Sequence, residues 1–261
     1  MIDSLRELWR YRSLLYAIAY RDIRIKYKQS IMGFMWAILM PLLIVLVGVL
    51  VRYAYSLASG TQVVLEDISG VAIRSVPWAF AVSSIRFGSS CLIGNSALVT
   101  KIYFPKEIFP IAAVASSLFD FLIASVPLIV LVALAGGKLS VALFWVPILL
   151  VILISIIIGT AFFVSAASLF FRDVKYLVEI FLTFGIFITP VFFNVKMFGA
   201  YGVYMMLNPL SAVMEGLETS IIAAEPPDFI WLAYSIAFGL AAMLGGYKFF
   251  KSLEPAFAES I

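Results

Sequence analysis

Histidine is absent from this 261-residue chain, cysteine occurs once, and charged residues make up only 13%. Without imidazole there is no Ser-His-Asp arrangement, no histidine general base and no histidine-ligated zinc or haem. A lone Cys91 forms neither an internal disulfide nor a cysteine metal cluster. No Gly-rich phosphate loop or other nucleotide-binding motif occurs, so ATP and Mg are not expected to bind this chain. What is abundant is apolar: 64% of residues are hydrophobic, 15% are aromatic and the mean hydropathy is +1.09. Soluble domains carry about 45–50% apolar and about 25% charged residues. That balance excludes a water-soluble enzyme and, despite a net charge of +3, a nucleic-acid-binding module. The composition specifies an all-α integral membrane protein, not an enzyme on its own.

A helix needs about 20 apolar residues to cross about 30 Å of hydrocarbon. Runs of that kind fall at 31–51, 75–100, 108–135, 141–171, 180–195 and 229–247, which predicts six transmembrane helices. Arg86 interrupts the second and Asp120 the third; the fifth starts one turn early, near Leu177. No cleavable signal peptide is expected. Arg6, Arg10, Arg12, Arg21, Arg24, Lys26 and Lys28 precede the first run, and Lys101, Lys106, Arg172, Lys175, Lys248 and Lys251 fall on the same side. Glu66, Asp67, Glu215, Glu218, Glu225 and Asp228 collect on the other. The positive-inside rule then places both termini in the cytoplasm.

Residues 1–28 form a basic amphipathic helix, with Leu8, Trp9, Leu15, Tyr16, Ala19 and Tyr20 on one face and Arg6, Arg10, Arg21 and Arg24 opposite. Arg12 and Lys26 lie off the polar face, which suggests a break near Ser13. Such a helix rests in the membrane interface, as an anchor or against a partner. Residues 29–261 make up the transmembrane domain. Within it, residues 95–107 carry Lys101, Ile102, Tyr103 and Phe104 ahead of Pro105. This is a docking element for another protein or an aromatic belt at the interface. Between the fourth and fifth spans, Arg172 closes one helix and Asp173 caps the next. Residues 197–226 read as an outer hairpin dipping into the membrane, with Pro209 after Asn208 at the first helical position. One face holds Leu210, Val213, Met214, Leu217 and Ile221, and the other Glu215, Glu218 and Thr219.

At membrane depth Asp120 and Arg86 form either a shared ion pair or a proton-coupling site. Phe34 and Trp36 open the first span. In the fifth, Phe181, Phe184 and Phe192 lie within about 80° of one another on a helical wheel. These aromatic residues offer stacking faces to sugars along a conduit, or helix-packing surface. Pro190 invites a kink late in the fifth span.

Several motifs together resemble a known family. The run YRDIRIKYKQSIMGFMW from Tyr20, NSALVTKIYFPKEIFP from Asn95, FFRDVKYLVE from Phe170 with Thr189-Pro190 after it, and LNPL from Leu207 are similar, in order, to segments of permease subunits of type-2 ABC exporters of polysaccharide. The likeness is greatest to the O-antigen branch, with Met32 where leucine is frequent. The resemblance implies a homodimer in the bacterial inner membrane that pairs with two copies of an ATP-binding cassette subunit. Its cargo would be an undecaprenyl-diphosphate-linked polysaccharide. It further implies ATPase contact at Lys101–Phe104, a lead-in motif at Arg21, Asp22, Arg24, Lys26 and Tyr27, a conduit along the first and fifth spans, and a gate in the outer hairpin. Export of capsule or teichoic acid by the same architecture, or a proton-coupled flippase using Asp120, are the competing readings.

Overall fold

The computed structural model describes residues 2–28, 32–60, 62–135 and 140–260. The described residues are helical almost throughout and include no strand. The apolar runs leave backbone N–H and C=O groups no water to pair with, and the helix satisfies them internally. The basic segment divides into α1 (Ile2–Arg10) and α2 (Arg12–Lys28), broken at Tyr11. Then follow α3 (Trp36–Ser59), α4 (Leu65–Gly94), the short α5 (Ser96–Lys101), α6 (Ile108–Leu134) and α7 (Trp145–Phe170). The chain continues through α8 (Arg172–Ile188), α9 (Gly202–Met206), α10 (Pro209–Glu218), α11 (Phe229–Leu253) and α12 (Phe257–Ser260).

Five helices, α3, α4, α6, α7 and α11, are long and apolar enough to cross a membrane. The fifth expected span is α8, whose 17 residues extend about 26 Å. It begins at Arg172, earlier than expected, and stops at Ile188. Thr189 is extended and Pro190 lies beyond the helix, so this proline ends α8 where a kink was expected. A residue before proline disfavours the helical region, and Thr189 shows that preference. α4 starts ten residues before the expected Ser75, because Asp67 accepts a hydrogen bond from the Val64 N–H (3.1 Å) and caps the earlier start.

α4 is the central helix. Every residue from 69 to 78 is buried, packed among α6, α7, α3 and α10. The broadest helix contact is between α7 and α11, where glycines permit close backbone approach. A Cβ on Gly159 would lie 2.3 Å from the Ala242 carbonyl carbon, and one on Gly246 would lie 2.1 Å from the Gly159 oxygen. Small residues serve this purpose at membrane helix crossings. One apolar core lies at the end of the bundle bearing α1 and α2, around Phe109, Phe162, Phe250 and Phe257. A second, around Leu149, Leu153, Ile157, Val213 and Leu217, reaches the opposite end.

Candidate functional site

The candidate residues fall at three levels of the bundle. At the basic end, α5 stops at Lys101 and residues 102–107 lead into α6, with Ile102 and Tyr103 projecting. Tyr103 is 95% exposed at the tip and Ile102 is half exposed beside it. Phe104, by contrast, is buried against Phe109 with ring centroids 5.5 Å apart. The expected contact set Lys101, Ile102, Tyr103 and Phe104 therefore divides: the first three face outward and Phe104 roots the segment. Lys106 folds back, donating to the Ile102 carbonyl (2.6 Å) and lying 4.4 Å from the Phe104 ring centroid. Burial lowers the pKa of its ammonium, and Glu254 opposes that shift. Glu107 is fully buried with Lys251 Nζ 2.8 Å away; Lys251 also meets Glu254 at 2.6 Å, and Glu254 accepts from the Lys106 N–H (3.2 Å). The end of α11 thus holds the projecting segment, a link that sequence spacing does not reveal.

The lead-in motif fastens α2 to the spanning helices. Arg21 donates to Asp22 (2.7 Å) and to Asn95 Oδ1 (2.7 Å), at the end of α4. Arg24 lies 5.8 Å from the Tyr20 ring centroid. Lys26 Nζ bonds Asp120 Oδ2 on α6 at 2.6 Å, and the Tyr27 hydroxyl also donates to Asp120. This explains why Lys26 departs from the basic face of its helix: it answers a carboxylate inside the bundle. An out-of-phase cation was the available signal. The expected Arg86–Asp120 pair does not form. Arg86 instead pairs bidentately with Glu179 on α8, at 2.8 and 2.9 Å.

Arg172 and Asp173 are exposed in the first turn of α8. Arg172 starts α8 rather than closing α7, and neither residue makes a side-chain cap bond there. A carboxylate still favours a helix N-terminus electrostatically. Phe181 and Phe184 point outward from α8, and Trp36 is partly exposed at the start of α3. The side chain of Phe34 lies outside the described residues. Phe192 is buried with Trp78, Val191 and Met214, because the end of α8 at Ile188 releases it from the helical phase of Phe181 and Phe184.

At the opposite end, Asn208 caps α10, accepting from the Leu210 N–H (3.1 Å) while donating to Thr189 Oγ1 (2.8 Å), and Pro209 takes the first helical position. Within the outer hairpin, α10 packs against α4, α7 and α11, and its acidic side, expected on a separate face, also turns inward. Buried Arg74 of α4 donates to Glu218 (2.7 Å), with Glu215 at 3.9 Å. Arg52 of α3 joins Asp67 of α4 at 2.8 Å. Burial raises the Glu215 pKa to about 7, and the neighbouring Glu218 charge adds to the rise. Among the described residues no group of three or more His, Cys, Asp or Glu side chains could hold a metal ion.

Long apolar helices, ion pairs enclosed between them and a projecting basic-end segment define an all-α, multi-pass membrane protein. No family model matches the chain. It is similar, at 28% identity over 271 residues covering all of both chains, to an O-antigen export system permease protein RfbA from Myxococcus xanthus. Two proteins of that name from Klebsiella pneumoniae are 25% and 23% identical over 94% of each chain. The resemblance to polysaccharide-export permeases drawn from the motifs therefore holds over the full length.

Proposed function

We propose that this chain is the membrane-spanning subunit of an ATP-driven polysaccharide exporter in the bacterial inner membrane, with its basic end and both termini in the cytoplasm. Two copies pair with two ATP-binding cassette subunits, which bind ATP and Mg, and the cargo is an undecaprenyl-diphosphate-linked O-antigen polysaccharide. The observation that carries this reading is the exposed Ile102–Tyr103 tip of the segment between α5 and α6, in a chain similar from end to end to O-antigen export permeases. An exposed tyrosine on a segment rooted by Phe104 and clamped by Lys251 and Glu254 suits transmission of force. Motion imposed at Tyr103 passes to α6 through Glu107 and to α11 through Lys251.

Closure of the ATPase pair would push this segment, and with it the α2–α6 link at Lys26–Asp120, while α3 and α8 shift around the passage. The outer hairpin, held by Arg74–Glu218 and Asn208–Thr189, would open to release polymer. A proton-coupled flippase is less well supported, because Asp120 is already engaged by Lys26 and Tyr27.

The test is Tyr103→Ala in membranes carrying the ATPase subunit encoded by a neighbouring gene. Tyr103 packs against little of its own chain, so the variant should fold and reach the membrane in wild-type amount. Polymer export per ATP hydrolysed should fall at least tenfold. Unchanged export would refute coupling through this segment. Phe104→Ala is unsuitable, since emptying a buried site destabilises by itself.

A further inference from the structure

A polar cavity lies at the end of the bundle away from α1 and α2. There α3, α4, α10 and the segment after α8 border a space of about 320 Å³, within the range of about 300–1,000 Å³ typical of small-molecule sites. Its polar lining is Arg52, Asp67, Arg74, Asn194, Lys196 and Glu218. Ionisable groups brought together in this way inside a membrane protein are costly and point to a role.

The charges there do not cancel. Three cations, Arg52, Arg74 and Lys196, face two carboxylates, Asp67 and Glu218. Glu215, 3.9 Å from Arg74, adds less than a full negative charge at neutral pH, because burial and the Glu218 charge raise its pKa to about 7. Lys196 is exposed and makes no ion pair among the described residues, its charge reaching Glu215 only at a distance.

Neither guanidinium is saturated by its carboxylate. Arg52 gives Nη2 to Asp67 (2.8 Å), while its Nη1 meets the Met197 sulfur (3.5 Å), a weak acceptor. Arg74 is 3% exposed and gives Nη1 to Glu218 (2.7 Å). Nε of Arg52 and Nε of Arg74 are buried with no hydrogen-bond partner among the described residues. Buried donors left without partners are uncommon, and a bound ion is one physical reason for them.

A neutral sugar or a single carboxylate would use few of these donors. A phosphate group presents several acceptor oxygens in different directions, and guanidinium forks match it well. We infer that this cavity binds a phosphate group, with Lys196 as the cation at the rim and Arg52 and Arg74 as the donors within. A lipid headgroup and free phosphate share this chemistry. The bound group competes with Glu218 for Arg74, which ties occupancy of the site to the seating of α10. The inference concerns the chain itself and stands apart from the exporter reading.

The experiment uses the full-length chain in nonionic maltoside micelles, at low ionic strength so that salt does not screen the exposed cation. Equilibrium dialysis follows radiolabelled inorganic diphosphate, and the wild type should bind it saturably at one per chain. Lys196→Gln, at an exposed position with no ion pair to lose, should weaken binding at least fivefold. Glu218→Gln keeps its hydrogen-bonding capacity but removes the competing charge, and should tighten binding severalfold. Lys248→Gln, exposed near the far end of α11, should leave it unchanged. Unlabelled monophosphate and dihexanoyl phosphatidic acid are the competitors. Displacement by either supports the site, and the one effective at lower concentration identifies the source of the phosphate. No saturable binding, or equal affinity in the wild type, Lys196→Gln and Glu218→Gln, would overturn the inference.

Discussion

At the residue scale, the polar side chains in this bundle are explained by their partners rather than by their sequence neighbours. Lys26 breaks the pattern of its helix because Asp120 lies 94 positions away in sequence and 2.6 Å away in space. Arg74 is buried against Glu218, 144 positions away in the sequence. Glycine is equally specific. A Cβ at Gly159 would lie 2.4 Å from the Met243 nitrogen, and backbone cannot yield as a flexible side chain does. Gly159→Val should therefore force α7 from α11 and destabilise the protein by about 1–3 kcal/mol or more. The expected result is a lower melting temperature in detergent and loss of the monodisperse chromatographic peak. Gly245→Ala, with nothing within 4 Å of the added Cβ, should leave both unchanged. Equal melting temperatures for the two variants would rule out close packing at Gly159.

At the element scale, α10 illustrates how tertiary contacts override an amphipathic reading. Its apolar face packs inward as the spacing predicts, with Val213, Met214 and Leu217 buried. Glu215 and Glu218 also turn inward, because Arg74 of α4 provides a charge to meet them. Two carboxylates around one guanidinium leave Glu215 underpaired. Burial is the main cause of its pKa rising from 4.5 to about 7, followed by repulsion from Glu218; Arg74, the Val195 N–H and Lys196 oppose the rise. The folded chain holds this proton more tightly than an unfolded one. Its favourable contribution is therefore present at low pH and is lost as pH rises from about 4.5 to about 7. Hydrogen-exchange protection factors across residues 209–223, corrected for the intrinsic pH dependence of amide exchange, should fall over that interval, and Glu215→Gln should flatten their profile. A Glu215→Gln protein with the wild-type pH profile would assign the effect elsewhere.

For the whole molecule, the outward aromatic faces of α8 and the short length of that helix leave a large apolar surface beside the Arg86–Glu179 pair. If that surface lines the proposed polymer passage, one copy would provide only one wall, and a twofold arrangement would supply the opposite wall from the same surface. Mass determination of the complex purified with its ATPase subunit should accordingly give two copies of each chain. A particle with one copy of this chain would contradict the paired-wall arrangement, and the passage would then have to be sought within a single bundle.

Much of this protein is legible in its sequence. Apolar runs and missing histidine fix a helical membrane protein without imidazole chemistry, because hydrocarbon tolerates few other backbone arrangements. Pro209 marks the start of α10 locally, since its fixed φ suits the first helical turn. The tertiary structure decided which charges meet. Asp120 with Lys26, Arg86 with Glu179, Arg74 with Glu218 and Glu107 with Lys251 are pairings between separate elements. Sequence periodicity assigns a residue to a face of its own helix, whereas the pairing of two charges depends on which helices lie side by side and at what height. The same reason separates Phe104 from Tyr103: adjacent in the chain and alike in chemistry, one is buried and the other exposed only because α6 and α11 lie beneath the segment.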